Sequence, residues 1–355
     1  MTEHAKTTPA GTRADPFWRE AMAPYATPSL PRRLLGIATS LVPFLVLWGM
    51  MYAALDVSYW LVLLIAIPAS GFLLRTFILF HDCTHGSLFH GRRANLWAGR
   101  LFGLVTLQCF TNWRHHHAFH HGSAGDLDRR GTGDVPTWTV EEYYSKPFLS
   151  RLGYRLFRHP LIMFGVGPIW SLVLGPRVWA GSKPGKLRNS ILLTNLAVVV
   201  MVGGAMLVFG WREVLLLEAP LVLLAGTAGV WLFFVQHQFE DVYWESGENW
   251  SYADAALKGS SYLKLPQPFQ FFTGNIGLHH VHHLSARVPN YNLQRAHDEN
   301  EVFHSVPVLT FRRSLRCSRL KLWDERENRL VTFGEGKASM RAASVAPRPA
   351  SVTSG

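Results

Sequence analysis

Four apolar blocks, at residues 34–55, 58–80, 191–209 and 214–235, constrain this chain of 355 residues more than any other feature of its sequence. A helix of about 22 residues reaches about 33 Å, which is enough to cross a hydrocarbon core of about 30 Å. A short link around Asp56 joins the first two blocks, and "GWRE" at 210–213 joins the last two. The blocks therefore predict two membrane hairpins. Glu218, inside the fourth block, needs either an interfacial level or a partner, because an unpaired carboxyl in hydrocarbon is costly.

Charge follows the same division. Only 17% of the residues are charged, against about 25% in soluble proteins. The charged residues that are present stand between the apolar blocks. A net charge of +11 raises the question of nucleic-acid binding, but ten Arg and Lys residues between 81 and 160 fit the positive-inside bias of a multi-pass protein. No nucleic-acid partner is expected. The termini, 81–190 and the region after 236 are expected on the cytosolic side, in the cytoplasmic membrane if the chain is bacterial. Cys83, Cys109 and Cys317 form no C-x-x-C pair, which argues against a disulfide scaffold or an iron–sulfur domain.

Two shorter apolar stretches, 96–110 and 161–175, are broken by Arg100 and by Gly165, Gly167 and Pro168. They read as interfacial or re-entrant. The expected fold is an all-α membrane protein with four transmembrane helices in two hairpins, interfacial helices and a cytosolic helical cap. Its segments run as a cytosolic arm (1–33), hairpin one (34–80), a cytosolic and interfacial region (81–190) and hairpin two (191–236). A cytosolic region (237–333) and a disordered Ala/Ser/Pro-rich tail (334–355) complete it.

Much of the chain's histidine falls in three clusters. "HDCTH" spans 81–85, "HHHAFHH" spans 115–121 and "HHVHH" spans 279–283. His81 and His85 are four apart, so on a helix that continues out of the second block they share a face. His117, His120 and His121 stand at i, i+3, i+4, as do His279, His282 and His283. His116 with His120 is an alternative pair, and His280 adds a fourth imidazole to the last cluster. Two crossings precede the first two clusters and four precede the third, so all three emerge on one side. The favoured sets exceed the ligand number of one metal and suit two, each with an open position; imidazole accepts iron, zinc, copper or nickel.

Other chemistries fit less well. A zinc protease wants H-E-x-x-H, which the first cluster lacks. A carboxylate-bridged di-iron bundle wants paired E-x-x-H motifs, and only Glu301–His304 matches, once. A haem protein does not need three adjacent triads, and a pH switch does not need repeated ligand spacing.

The order H-x3-H, H-x2-H-H, H-x2-H-H resembles the integral-membrane fatty acid desaturases, with the overall look of the bacterial acyl-lipid, delta-12-like branch. The likeness extends through "HDCTHGSLF", "HHGSAGDLDRRGTGDVPTWTVEEY", "VWLFFVQHQFEDVYW" and "NIGLHHVHHLSARVPNYNL", covering roughly residues 40–295. It implies two ferrous ions held by His81, His85, His117, His120, His121, His279, His282 and His283, with His237 in "QHQFE" as a further ligand. Asn275 is a candidate for orienting a ligand or metal-bound water. Asp82, Asp126, Asp128, Glu240 and Asp241 are candidate acceptors for the outer imidazole nitrogens. His115, His116 and His280 have no role in the pattern.

The implied reaction is O2-dependent removal of two hydrogens from an acyl chain to leave a cis double bond. Phe72, Phe77, Trp97, Trp170, Trp231 and Phe234 are candidates for the wall of the substrate tunnel. Two electrons must come from outside, from a ferredoxin or cytochrome b5 type donor with its reductase, because the sequence shows neither a dinucleotide fingerprint nor a cytochrome motif. The basic segment 311–321 suits either an acidic donor or anionic lipid headgroups. The alternatives are a hydroxylase or carotenoid oxygenase on related histidine boxes, and a non-enzymatic membrane metal-binding protein.

Overall fold

The computed structural model describes residues 17–178 and 185–345. Four of its helices are long and apolar enough to cross a membrane: Leu30–Ala54, Tyr59–His85, Gly185–Phe209 and Trp211–His237. Each begins near the block the sequence marks. The second and fourth continue past their apolar ends, so His81, His85 and His237 sit on the last turns of membrane helices.

The second span is central and packs against the first and fourth. Ala54, Ala66, Ala69 and Ala225 lie in that contact with Phe44, Met51, Val62 and Leu221, and small side chains let helix backbones approach in lipid. The third span stands at the edge. Its buried residues are Leu187 and Ile191, and Leu207 is 90% exposed, as a lipid-facing residue should be. Glu218 finds the partner the sequence demands, since Trp48 Nε1 donates to its carboxylate at 2.9 Å.

The two ambiguous stretches settle differently. Residues 96–110 divide between an amphipathic helix, Arg92–Val105, and the start of the next helix, Phe110–Ser123. The later stretch lies in Ile162–Arg177, which is bent by 57° against Phe148–Phe157. The second and third histidine boxes meet at one end of the bundle. An even number of crossings therefore separates them, and Ile162–Arg177 is re-entrant. It is pinned to the fourth span where Thr227 Oγ1 donates to the Phe164 carbonyl at 2.6 Å. Gly226 lies opposite Pro168 and Leu172 there; a Cβ at this position would stand 2.7 Å from Pro168 Cβ.

The helical fold stands, though the cap is not helical in every part. Trp138–Thr139 pairs in parallel with Leu322–Asp324, which pairs antiparallel with Arg329–Val331, and Tyr262–Lys264 pairs in parallel with Val308–Thr310. These short ladders satisfy the backbone where distant connections converge. Nor is the tail disordered from residue 334, since Phe333–Val345 is a helix. A reciprocal cap starts it, in which Thr332 N donates to Glu335 Oε2 and Glu335 N to Thr332 Oγ1. Phe333 and Met340 pack against Val140, Tyr143 and Leu322. Residues 346–355 of the tail and 1–16 of the N-terminal arm lie outside the described residues. The remainder of the arm is tied to the cap, with Tyr25 Oη donating to Glu299 at 2.7 Å.

Candidate metal centre

Four helices deliver nine imidazoles to one place, and they fall into two groups. His81, His85, His117, His121 and His282 form one; His120, His237, His279 and His283 form the other. In each group one nitrogen per residue lies within 4.8 Å of all the others. The groups do not follow the boxes. On Phe110–Ser123, His117 and His121 turn to the first group while His120 turns to the second. On His279–Leu284, His282 joins the first while His279 and His283 join the second. Each i, i+3, i+4 face therefore straddles both groups.

The inward nitrogens are close. His117 Nε2 lies 2.9 Å from His81 Nε2 and 3.1 Å from His121 Nε2. His237 Nε2 lies 2.9 Å from His279 Nε2 and 3.1 Å from His120 Nε2. Ligands about 2.1 Å from one metal and at right angles are about 3 Å apart, so these spacings suit the edges of a coordination shell. His85 Nε2 and His283 Nε2 are buried with no hydrogen-bond partner among the described residues. Buried polar atoms are almost always satisfied, and a cation in each group would satisfy them, His85 in the first and His283 in the second. Burial first, and neighbouring imidazoles second, hold His117, His121, His279, His282 and His283 well below the usual histidine range. They are neutral at pH 7, the form in which imidazole offers a lone pair to a metal.

The outer nitrogens distinguish the two groups. In the second, His120 Nδ1 meets Asp134 Oδ1 at 2.5 Å and His237 Nδ1 meets the Gly259 carbonyl at 3.1 Å. His279 Nδ1 in the second group has no hydrogen bond, and neither do His81 Nδ1 and His121 Nδ1 in the first; Asp82 Oδ1 stands 3.8 Å from His81 Nδ1. The other Asp82 oxygen accepts from Asn290 N and Nδ2, tying the first box to the loop after the third.

The remaining acidic candidates are engaged elsewhere. Asp126 accepts from Asp128 N and Arg129, and Asp128 accepts from Gly247 N. Glu240 pairs with Arg329 and Asp241 with Arg313. Asn275 donates to the Asn290 carbonyl and takes φ 59° at the turn before the third box, which is a loop role. The sequence reading missed Asp134. It follows Gly133, at φ 76°, where a Cβ would lie 2.8 Å from the His116 carbonyl and 3.0 Å from His120 Cβ. The glycine lets the loop close on the helix, so "GTGD" was the available signal.

Of the surplus histidines, His115 is exposed and His116 lines the cavity described next. His280 Nε2 pairs with His297 Nδ1 at 3.0 Å. None of the three joins either group.

A cavity of about 790 Å³ runs from the imidazoles into the bundle. His81, His117 and His279 line one end, and Glu218, Val222, Gly226, Gly229 and Phe233 follow one face of the fourth span. Glu218 and Phe233 are fifteen residues apart, about 22 Å along the helix. Of the sequence's candidate wall residues, Phe77, Trp170 and Phe234 line this space. Phe72, Trp97 and Trp231 do not: Phe72 packs on Phe271 and Phe272, Trp97 lies under Arg100, and Trp231 faces Phe311. Two unanticipated aromatics frame the metal end. The Trp113 ring lies 4.2 Å from that of His117, and the Phe233 ring 5.1 Å from that of His120. Trp113 and Phe233 stand four residues before His117 and His237, so the helical repeat itself was the missed signal.

Comparison with known proteins gives a consistent result. The family model described as "Fatty acid desaturase" matches residues 58–306. The chain is 45% identical to a Bacillus subtilis fatty acid desaturase over 88% of this chain and 89% of that protein. It is 27% identical to the sn-1 oleoyl-lipid 12-desaturase of Synechocystis, over 62% of this chain and 63% of that one. Identity to the sn-1 acyl-lipid omega-3 desaturase (ferredoxin) of the same organism is 28%, over 62% of each.

Proposed function

Because this chain belongs to the fatty acid desaturase family, we propose that it uses O2 and two supplied electrons to place a cis double bond in the acyl chain of a membrane lipid. The chain is a membrane oxidoreductase acting on fatty acids. His81, His85, His117, His121 and His282 would hold one iron, and His120, His237, His279 and His283 the other. The irons would activate O2, which supplies the oxidising power for an unactivated C–H bond that no side chain provides.

The observation that carries this reading is the apolar cavity ending on imidazoles of both groups. A leaflet's acyl chains fill about half of a hydrocarbon core of about 30 Å, so the cavity's depth along the fourth span suits a whole chain. Its walls exclude water and fix which methylene lies beside His81, His117 and His279. Trp113 and Phe233 brace His117 and His120 against rotation, and Asp134 and the Gly259 carbonyl fix the tautomers of His120 and His237.

The basic loops support placement of the boxes on the cytosolic side. One Synechocystis relative is named as a ferredoxin desaturase, which supports a ferredoxin type donor; a cytochrome b5 type donor would meet the same need.

Gas chromatography of lipids from a host expressing the chain tests the reaction. Acyl chains with one more double bond than the host's own are expected. Hydroxy-acids or oxidised carotenoids without added unsaturation would replace this reading with a related oxygenase, and metal binding without any lipid product would leave a metal-binding protein. Metal analysis of purified protein should approach two irons per chain.

A further inference from the structure

The basic segment after residue 310 has a second character. Helix Phe311–Cys317 starts on a cap in which Arg313 N donates to Thr310 Oγ1 at 3.3 Å, and it buries Ser314 and Cys317. Phe311 and Leu315, four residues apart, are 47% and 51% exposed. Arg312 and Arg316, four apart on this helix, and Arg319, two residues past its end, are all exposed. Arg313 is held by Asp241 at 3.6 Å.

The location gives these exposures meaning. The Phe311 ring packs 5.7 Å from that of Trp231, which lies on the fourth span six residues before its end, about 9 Å down the helix. The helix therefore lies against the rim of the membrane-embedded bundle. The strand before it, Val308–Thr310, pairs with Tyr262–Lys264, and the chain leaving that strand presents Phe269 and Phe271, also exposed. Arg75 of the second span sits 4.0 Å over the Phe271 ring, and its Nε is buried without a hydrogen-bond partner.

We infer that this rim is a binding surface for acidic phospholipids, with Phe311, Leu315, Phe269 and Phe271 seated at the acyl boundary and Arg312, Arg316 and Arg319 on headgroup phosphates. A basic amphipathic helix with aromatic anchors is the arrangement that lies in a membrane interface. A soluble acidic electron carrier is the poorer occupant. Apolar side chains on the same short helix, packed against a membrane span, place the arginines at headgroup height, where lipid covers them.

The full-length protein, reconstituted in phosphatidylcholine bilayers, is probed with spin-labelled phosphatidylglycerol and spin-labelled phosphatidylcholine. Preference for the acidic probe is expected to fall about fivefold for each arginine lost in an Arg312→Ser, Arg316→Ser, Arg319→Ser series at low salt. High salt should reproduce part of that loss in the unchanged protein. A Phe311→Ser, Leu315→Ser variant should expose residues 311–319 to protease in the bilayer. Retained metal content in each variant shows that the fold persists. Unchanged lipid preference together with unchanged protection would overturn the inference. So would unchanged lipid preference with a raised half-saturating concentration of an acidic ferredoxin, which would make the rim a donor site.

Discussion

The two histidine groups are built from the same elements and differ in what stands behind them. The four-histidine group is buried throughout, and two of its outer nitrogens are held, one by Asp134 and one by the Gly259 carbonyl. The five-histidine group includes half-buried imidazoles at His85 and His121, and two of its outer nitrogens face no partner among the described residues, against one, His279 Nδ1, in the smaller group. Fixed outer bonds hold ligand orientation and raise ligand basicity. The smaller group is therefore the more rigid site, and the larger group compensates with one more nitrogen.

Several measurements can break or sharpen that contrast. The largest effect is expected from ligand removal. His279→Ala and His85→Ala should each abolish lipid desaturation, and the metal lost should come from the affected group. Loss of both metals from either variant would show one coupled site instead of two. Next, Asp134→Asn should lower metal retention in the four-histidine group by about 10–100-fold. Asp82→Asn, in the other group, should act mainly on stability through the lost Asn290 bonds, with a smaller effect on metal affinity. If Asp82→Asn costs as much metal affinity as Asp134→Asn, the contrast between the groups fails. A chelator should remove metal from the five-histidine group first, followed as two kinetic phases by iron spectroscopy.

A smaller effect comes from pH. His117, His121, His279, His282 and His283 sit below the usual histidine range in the folded protein, while in the unfolded chain they titrate near 6.5. Below that value the unfolded state takes up more protons, so stability falls with falling pH and levels off above it. Thermal unfolding of the metal-free protein should move to lower temperature between about pH 7 and pH 5.5. The smallest effect is expected for His115→Ala, because an exposed side chain outside both groups leaves metal loading and most activity in place.

Much of this site was legible in one dimension. The spans follow from apolar length, the boxes from spacing, and His237 from its place at the end of a span in a family-like context. The partition of the boxes was not legible. A single helical face reads as one ligand set, and only the meeting of imidazoles from Phe110–Ser123 and His279–Leu284 divides it. Asp134 was hidden for a related reason: its contact with His120 is made by a loop folding back, while the nearer carboxylates are engaged elsewhere, Asp126 within its own turn and Asp128 on Gly247 N. The tunnel was half legible, because aromatic character does not tell a wall residue from one packed behind the wall, as Phe72 and Trp231 show.

The partition also bears on how the enzyme is made. A chain synthesised through residue 121 already holds four of the five nitrogens of one group, and His120 alone of the other. The remainder arrive only with the second hairpin and residues 279–283. During translation the larger group is thus nearly complete while the smaller barely exists, and a metal captured early has one place to go. Closure of the third box then finishes both at once, so neither ligand set is complete before residues 279–283 are in place.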